Sequence, residues 1–228
     1  MKSLDISRLA FDPEGVPVSV RYGDVYHTKA GGLGQSLHVF LAGNGLPARW
    51  QGQSRFEILE TGFGLGLNFL STWRAWQEDP QACGELHFVS VEKHPFAAAD
   101  LAAAHARWPA LAELSRALLA SWPPLTAGEH RLELAGGRVT LRLILGDAVD
   151  VLPGLAAAVD AFYLDGFSPA KNPDLWSPDL CLSLARVAKP GASLATWSVA
   201  GHVRRALQAA GFEVEKREGF VGKRQMLV

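Results

Sequence analysis

Glu60-Thr61-Gly62-Phe63-Gly64-Leu65-Gly66 stands between the apolar run Phe56 to Leu59 and a helical start at Leu67-Asn68-Phe69-Leu70. Glycine at alternate positions permits positive φ and lets a ligand approach the backbone closely. The amide end of the following helix would face that ligand and favour a negatively charged group such as a carboxylate. A dinucleotide fingerprint needs its third glycine three places after the second, and Leu67 occupies that place, which argues against NAD or FAD. The spacing alone leaves two readings open, a nucleotide-like cofactor or a tight strand-to-helix turn.

Outward from this corner, short apolar runs alternate with helical patterns, as in repeated strand-helix units around a parallel sheet. The expected strands are Phe56 to Glu60, Leu86 to Glu92, Leu141 to Leu145, Ala161 to Asp165 and Ser193 to Trp197. The expected helices are Leu67 to Gln77, Pro95 to Ala106, Ala148 to Leu155, Pro178 to Ala188 and Ala200 to Ala210. Phe212 to Arg217 and Arg224 to Val228 read as an antiparallel hairpin closing the sheet, and Arg131 to Leu134 with Arg138 to Leu145 as another across Ala135-Gly136-Gly137. Tyr22 to Trp50, with its glycines and the apolar run Leu37 to Leu41, reads as a small β-rich extension. The expectation is an α/β fold: a doubly wound, mostly parallel sheet of the class I, Rossmann-like methyltransferase type over residues 56–228, with a β-rich extension over residues 1–55.

At 228 residues, 48% hydrophobic and 20% charged, the chain suits one packed core. A net charge of -1 supplies no global field for nucleic acid, so an RNA partner would be held by local patches. Cys83 and Cys181 form no CxxC pair, which fits a reducing cytoplasm. Met1-Lys2-Ser3-Leu4-Asp5 lacks the apolar run of a signal peptide, and no later run is long enough to span a bilayer, so no membrane partner is expected. The seven histidines show no HExxH spacing and Ser168 stands in no GxSxG elbow, so neither a metal site nor a hydrolase is expected. Trp73, Trp76, Trp108 and Trp122 read as packing residues.

Candidate ligand contacts follow from strand ends. Glu92 closes the second strand, where a carboxylate can accept from both ribose hydroxyls or simply be solvated beside Lys93. Asp147 suits contact with an adenine amino group and equally a helix N-cap. Asp165 opens Asp165-Gly166-Phe167-Ser168-Pro169-Ala170-Lys171-Asn172-Pro173-Asp174-Leu175-Trp176 at the carboxyl end of a buried strand, the edge where open parallel sheets bind ligands. Trp197 ends the last parallel strand. Arg204, Arg205, Lys216, Arg217, Lys223 and Arg224 form a late basic group that either grips phosphates or is a solvated surface.

Together with His38 to Trp50 and Gly219 to Leu227, these segments resemble, over nearly the whole chain, the methyltransferase domain of the tRNA wobble-uridine modification enzyme MnmC and its stand-alone counterpart MnmD. Asp165 to Trp176 is the most specific part; Leu65 departs from that family's threonine. The resemblance implies S-adenosylmethionine as cofactor and methyl transfer to the amine of 5-aminomethyl(-2-thio)uridine at position 34. It implies cofactor contacts from Glu60, Gly62, Phe63, Gly64, Gly66, Asn68, Glu92, Lys93, Asp147, Ala148 and Asp165, with Asp165 also catalytic. Substrate contacts would come from Phe167, Ser168, Pro169, Lys171, Asn172, Trp197, Lys223 and Arg224. The implied partners are the tRNA anticodon region and an FAD-dependent oxidase, either separate or a fused domain absent from this sequence. Other acceptors, a small amine or another RNA position, and a non-catalytic binding module are the competing readings.

Overall fold

The computed structural model describes residues 4–228; the reading of Met1-Lys2-Ser3 lies outside the described residues. Three short strands, β1 (Ala10–Phe11), β2 (Pro17–Ser19) and β3 (Asp24–Val25), form a small antiparallel sheet. A helical stretch follows: α1 (Gly32–Gln35), a π-helix (Ser36–Leu41) and two 3-10 turns (Ala42–Asn44 and Ala48–Trp50). Then come β4 (Arg55–Thr61), α2 (Leu67–Glu78), β5 (Glu85–Glu92), α3 (Ala98–His105), α4 (Ala112–Ala120), β6 (Gly128–Leu134) and β7 (Val139–Leu145). The chain continues through α5 (Ala148–Val151), β8 (Val159–Leu164), α6 (Pro178–Val187), β9 (Ala188–Ala195), α7 (Gly201–Ala209), β10 (Lys216–Glu218) and β11 (Gln225–Leu227).

The central sheet has the order β6-β7-β5-β4-β8-β9, parallel except for β6, which pairs antiparallel with β7. All but the first residue of β4 and of β5 is buried, because helices cover both faces. The period of two sorts their side chains: Ile58 and Phe88 join the cluster on one face, Leu59 and Val89 the cluster on the other. Helix boundaries follow local chemistry. Ser177 caps α6 by accepting from the Leu180 amide at 3.3 Å, with Pro178 and Asp179 in the first turn.

The extension departs from its β-rich reading. Its strands lie only between Ala10 and Val25, and from Gly32 onward it is mainly helical. A short contiguous apolar run such as Leu37 to Leu41 does not distinguish a strand from a buried helix; here Val39, Phe40 and Leu41 enter the same core as Ile58 and Tyr163. Asn44, in what reads as a turn, is buried and donates to the Phe40 and Phe162 carbonyls at 2.9 and 3.2 Å. Helix α4 was not among the expected elements. The C-terminal hairpin forms a separate two-stranded sheet, joined to the end of β9 by the Thr196–Leu227 bridge.

Half-buried Arg49 fastens the helical stretch to the sheet. Its guanidinium donates to the carbonyls of Asn44, Asp160 and Gly191 at 3.3, 3.1 and 2.9 Å, and also to Ser193. Replacing Arg49 with Ala leaves several of these acceptors without their charged donor. The expected loss is about 2–3 kcal/mol in urea denaturation, given the usual worth of charge-assisted hydrogen bonds.

Candidate functional site

Thr61 of β4 lies opposite Val91 of β5 and Leu164 of β8. The next residues, Gly62, Glu92 and Asp165, therefore leave the sheet side by side, where β4 has a neighbour from each half of the sheet. This is the switch point at which open α/β sheets bind ligands. One cavity occupies it, and Gly62, Phe63, Gly64, Asn68, Glu92, Lys93, Asp147, Ala148, Asp165, Phe167 and Asn172 all line it.

The glycine corner is held from outside. Gly62, Gly64 and Gly66 all have positive φ, and a Cβ on Gly66 would lie 2.7 Å from the Phe63 ring. Glu92 braces the loop through one carboxylate oxygen, which accepts from the Gly64 amide at 2.7 Å; the other accepts from the His94 amide at 2.6 Å. Each oxygen has a further acceptor position for a ligand hydroxyl. Below the loop, buried His105 binds the Leu65 carbonyl through Nε2 at 2.7 Å and meets Ser115 Oγ through Nδ1 at 2.7 Å. A carbonyl only accepts, so Nε2 carries the proton and Ser115 donates to Nδ1. Burial lowers the His105 pKa, consistent with this neutral form.

At the far end Asp147 both caps α5, accepting from the Val149 amide at 3.1 Å, and faces the cavity. Burial pushes its carboxyl pKa upward, but Lys93 at 2.5 Å and the Val149 amide outweigh that and hold it below its ordinary value. Lys93 thus serves Asp147 before any ligand.

Asp165 sits where the cavity meets Trp197. Its Oδ1 accepts from the Gly166 amide at 2.8 Å and Trp197 Nε1 at 3.2 Å, and its Oδ2 from Asn68 Nδ2 at 2.8 Å. Desolvation pushes its pKa up to about 6 against those hydrogen bonds. Glu60 lies behind the cavity wall, fully buried, accepting from the same Asn68 nitrogen at 2.9 Å and from Ser90 Oγ at 2.7 Å. Burial first, and Asp165 nearby, raise the Glu60 pKa well above its ordinary value. The two hydrogens of one amide thus join a buried acid to an acid at the cavity.

The remaining sequence candidates divide. Gly66 caps α2 outside the cavity lining. The Ser168 amide donates to Asp24 at 3.0 Å, and Lys171 contacts the Gly23 carbonyl and lies 3.8 Å from Asp24, so both fasten their loop to β3. Pro169 and Arg224 line neither this cavity nor a smaller one beside Trp197, whereas Trp197 and Lys223 line the smaller one.

The sequence reading missed the extension's contribution. Tyr22 stacks on Phe167 with centroids 4.5 Å apart, and Tyr26 meets the same ring edge-on at 5.2 Å. His27 and Ser36 also line the cavity, and His27 Nε2 and Ser36 Oγ are buried without a protein partner. The His27 Nδ1 proton goes to the Thr28 carbonyl at 3.0 Å, which makes Nε2 a free acceptor. Orphaned buried polar atoms at a cavity wall are groups that a ligand satisfies. No local pattern in the sequence marks them beyond the tyrosine pair four residues apart. The cavity therefore offers a ligand a free acceptor at His27 Nε2, an unpartnered hydroxyl at Ser36 and the spare acceptor positions of Glu92. Among the described residues no cluster of histidine, cysteine, aspartate or glutamate is arranged to hold a metal, and no helix is long and apolar enough to cross a membrane.

A family model described as S-adenosyl-L-methionine-dependent methyltransferase matches residues 109–228. The tRNA 5-methylaminomethyl-2-thiouridine biosynthesis bifunctional protein MnmC of Aromatoleum aromaticum is 62% identical over 98% of this chain and 35% of its own length. The protein of the same name from Azoarcus sp. is 64% identical over 96% of this chain and 34% of its own. The chain spans about a third of the length of these curated relatives. The crystal structure of MNMC2 from Aquifex aeolicus matches with a TM-score of 0.76 at 24% identity, over 99% of this chain and 70% of that one, so the fold is shared. With the family match covering more than half its length and the cavity at the switch point of its sheet, the chain belongs to the S-adenosyl-L-methionine-dependent methyltransferase family.

Proposed function

We propose that the protein methylates the primary amine of 5-aminomethyl(-2-thio)uridine at tRNA wobble position 34, giving the 5-methylaminomethyl product. The observation that carries this reading is Asp165, a carboxylate held by three donors at the boundary between the cofactor cavity and Trp197. The likeness to the MnmC proteins supplies the acceptor. The tRNA would be engaged through its anticodon region in the cytoplasm. An FAD-dependent oxidase, fused or separate, would act in the same modification route.

The residues present fit S-adenosylmethionine. The corner from Gly62 to Asn68, with Ser36 and His27, would hold the methionine end, Glu92 the ribose hydroxyls, and Asp147 with Ala148 the adenine side. When bound, the cofactor supplies a methyl group on a sulfonium, already a strong donor. The protein's task is alignment and proton management. Asn68, the Gly166 amide and Trp197 fix both oxygens of Asp165, so its carboxylate can orient the amine. Ionised, it can take a proton from the ammonium form of the amine before transfer, which frees the nitrogen lone pair; that pair forms the nitrogen–carbon bond as the carbon–sulfur bond breaks, and the product leaves as a secondary ammonium. Tyr22, Tyr26 and Phe167 shield the cavity from water, which keeps that carboxylate's field strong.

Asp165→Asn should lower kcat by about a thousandfold or more, the scale of a lost positioned base and charge, with cofactor affinity changed little; wild-type methyl incorporation into tRNA bearing the aminomethyl wobble base, read by nucleoside mass analysis, would sink the assignment. The same assay on tRNA lacking that group, and on small amines, separates the competing acceptors; cofactor binding with no transfer to any of them would indicate a binding module. Because the Asp165 pKa is raised to about 6, its base form is present above that pH, so kcat/KM should fall as pH drops through about 6, and Asp165→Asn should lack this break. Gly66→Ala places a Cβ at φ +71° against the Phe63 ring, and should weaken cofactor binding by about tenfold, from roughly 1–2 kcal/mol of left-handed strain; unchanged affinity by calorimetry would count against the loop's role.

A further inference from the structure

The smaller cavity lies on the other side of Asp165. Thr28, Gln35, Trp197, Phe220 and Lys223 are among its walls, and Gln35 lines the main cavity as well. The two spaces therefore adjoin at Gln35 and at the Trp197–Asp165 hydrogen bond.

Lys223 is an exposed residue whose ammonium is nonetheless directed at an aromatic face. Its Nζ lies 3.5 Å from the centroid of the Trp197 ring, while the edge of that indole donates to Asp165. A cation there meets the negative face of the best aromatic partner and the field of a carboxylate. Among the described residues Lys223 makes no ion pair within salt-bridge distance. Its pKa is lowered, first by desolvation, with Asp24 and Asp165 pulling it back up. The turn that carries it, between β10 and β11, is seated by Phe220, whose ring occupies the place a Cβ on Gly34 would need. Thr28 Oγ1, buried without a partner, faces the same space.

We propose that the Trp197 face beside Asp165 is the seat of the substrate's primary ammonium group, and that Lys223 fills this seat as an internal stand-in until a substrate displaces it. This rests on the proposed methylation of an aminomethyl pyrimidine and deepens it by naming where the amine is recognised. A displaced amine seat at the meeting of the two cavities puts the acceptor nitrogen beside both Asp165 and the cofactor space. Lys223 acts as a tethered competitor, and a tethered group has a high effective concentration at its site.

The test uses 5-aminomethyluridine as a free nucleoside, which has no phosphate for Lys223 to grip, with the whole protein and S-adenosylhomocysteine present. Binding is read by calorimetry. Lys223→Met should tighten the nucleoside's Kd by about fivefold, the scale of a partly desolvated cation–π contact. Trp197→Leu should weaken it by about tenfold, and Trp197→Phe, which keeps an aromatic face, should recover part of that loss. An unchanged or weaker Kd in Lys223→Met overturns the proposal, as does absence of nucleoside binding in every variant. Methyl transfer by the wild type to tRNA with the aminomethyl wobble base is measured in parallel. If that transfer occurs while Lys223→Met fails to tighten binding, the amine seat alone is wrong; if it does not occur, the proposed function fails and takes the seat with it.

Discussion

The alignment of Thr61 with Val91 and Leu164 is the constraint on which the site depends. Three parallel strands end at one height, and the sheet then delivers a glycine loop and the carboxylates of Glu92 and Asp165 to neighbouring positions. A slip of one residue in either pairing would turn the following side chain to the opposite face. That register is secured by burial on both sides, where alternate residues belong to separate apolar clusters. The chemistry at the strand ends is thus set by packing well below it.

Above the sheet, polar contacts convert that placement into fixed orientations. Glu92 and His105 hold the glycine loop from two directions, one at the Gly64 amide and one at the Leu65 carbonyl. Asn68 links Glu60 and Asp165 through one nitrogen, so the first turn of α2 is tied to the ends of both β4 and β8. Two acidic side chains around a single amide repel each other when both are ionised. Complete burial raises the pKa of the deeper Glu60 well above its ordinary value, so of the two it is the acid less disposed to carry charge beside Asp165. The Glu60-to-Gly66 corner therefore has two roles: a loop that admits a ligand, and a buried acid behind Asp165.

The five parallel strands and the glycine corner were legible because their patterns are local. Runs such as Phe88-Val89-Ser90-Val91 are apolar enough for two-sided burial, and glycines at alternate positions mark a loop with positive φ. Helix α4 went unread although Leu111, Leu114, Leu118 and Leu119 recur at helical spacing and pack on the core, so its signal was present in the sequence. Lys171 and Ser168 looked like substrate contacts from their place in a distinctive loop, but their partner is Asp24, about 144 residues away for Ser168. A charge or amide in a loop does not reveal whether it faces a ligand or a distant strand. Tyr22, Tyr26, His27 and Ser36 were invisible for the same reason: closure of the extension over the sheet makes them part of the cavity.

That closure also explains how a chain with a net charge of -1 is suited to a charged acceptor. Basic residues late in the sequence suggested phosphate contacts, and Arg224 remains exposed, consistent with that reading or with simple solvation. Lys223, its immediate neighbour, is exposed as well, but lays its ammonium over the Trp197 ring from a turn that Phe220 seats against Gly34. The polar geometry there centres on one carboxylate rather than on bulk charge: the Trp197 indole donates to Asp165, while the helical extension supplies Gln35 to both cavities. The segment before β4 and the hairpin after α7 thus come from opposite ends of the chain and meet beside the site, where Phe220 packs on Gly34 and His38 reaches the Glu218 carbonyl at 3.0 Å.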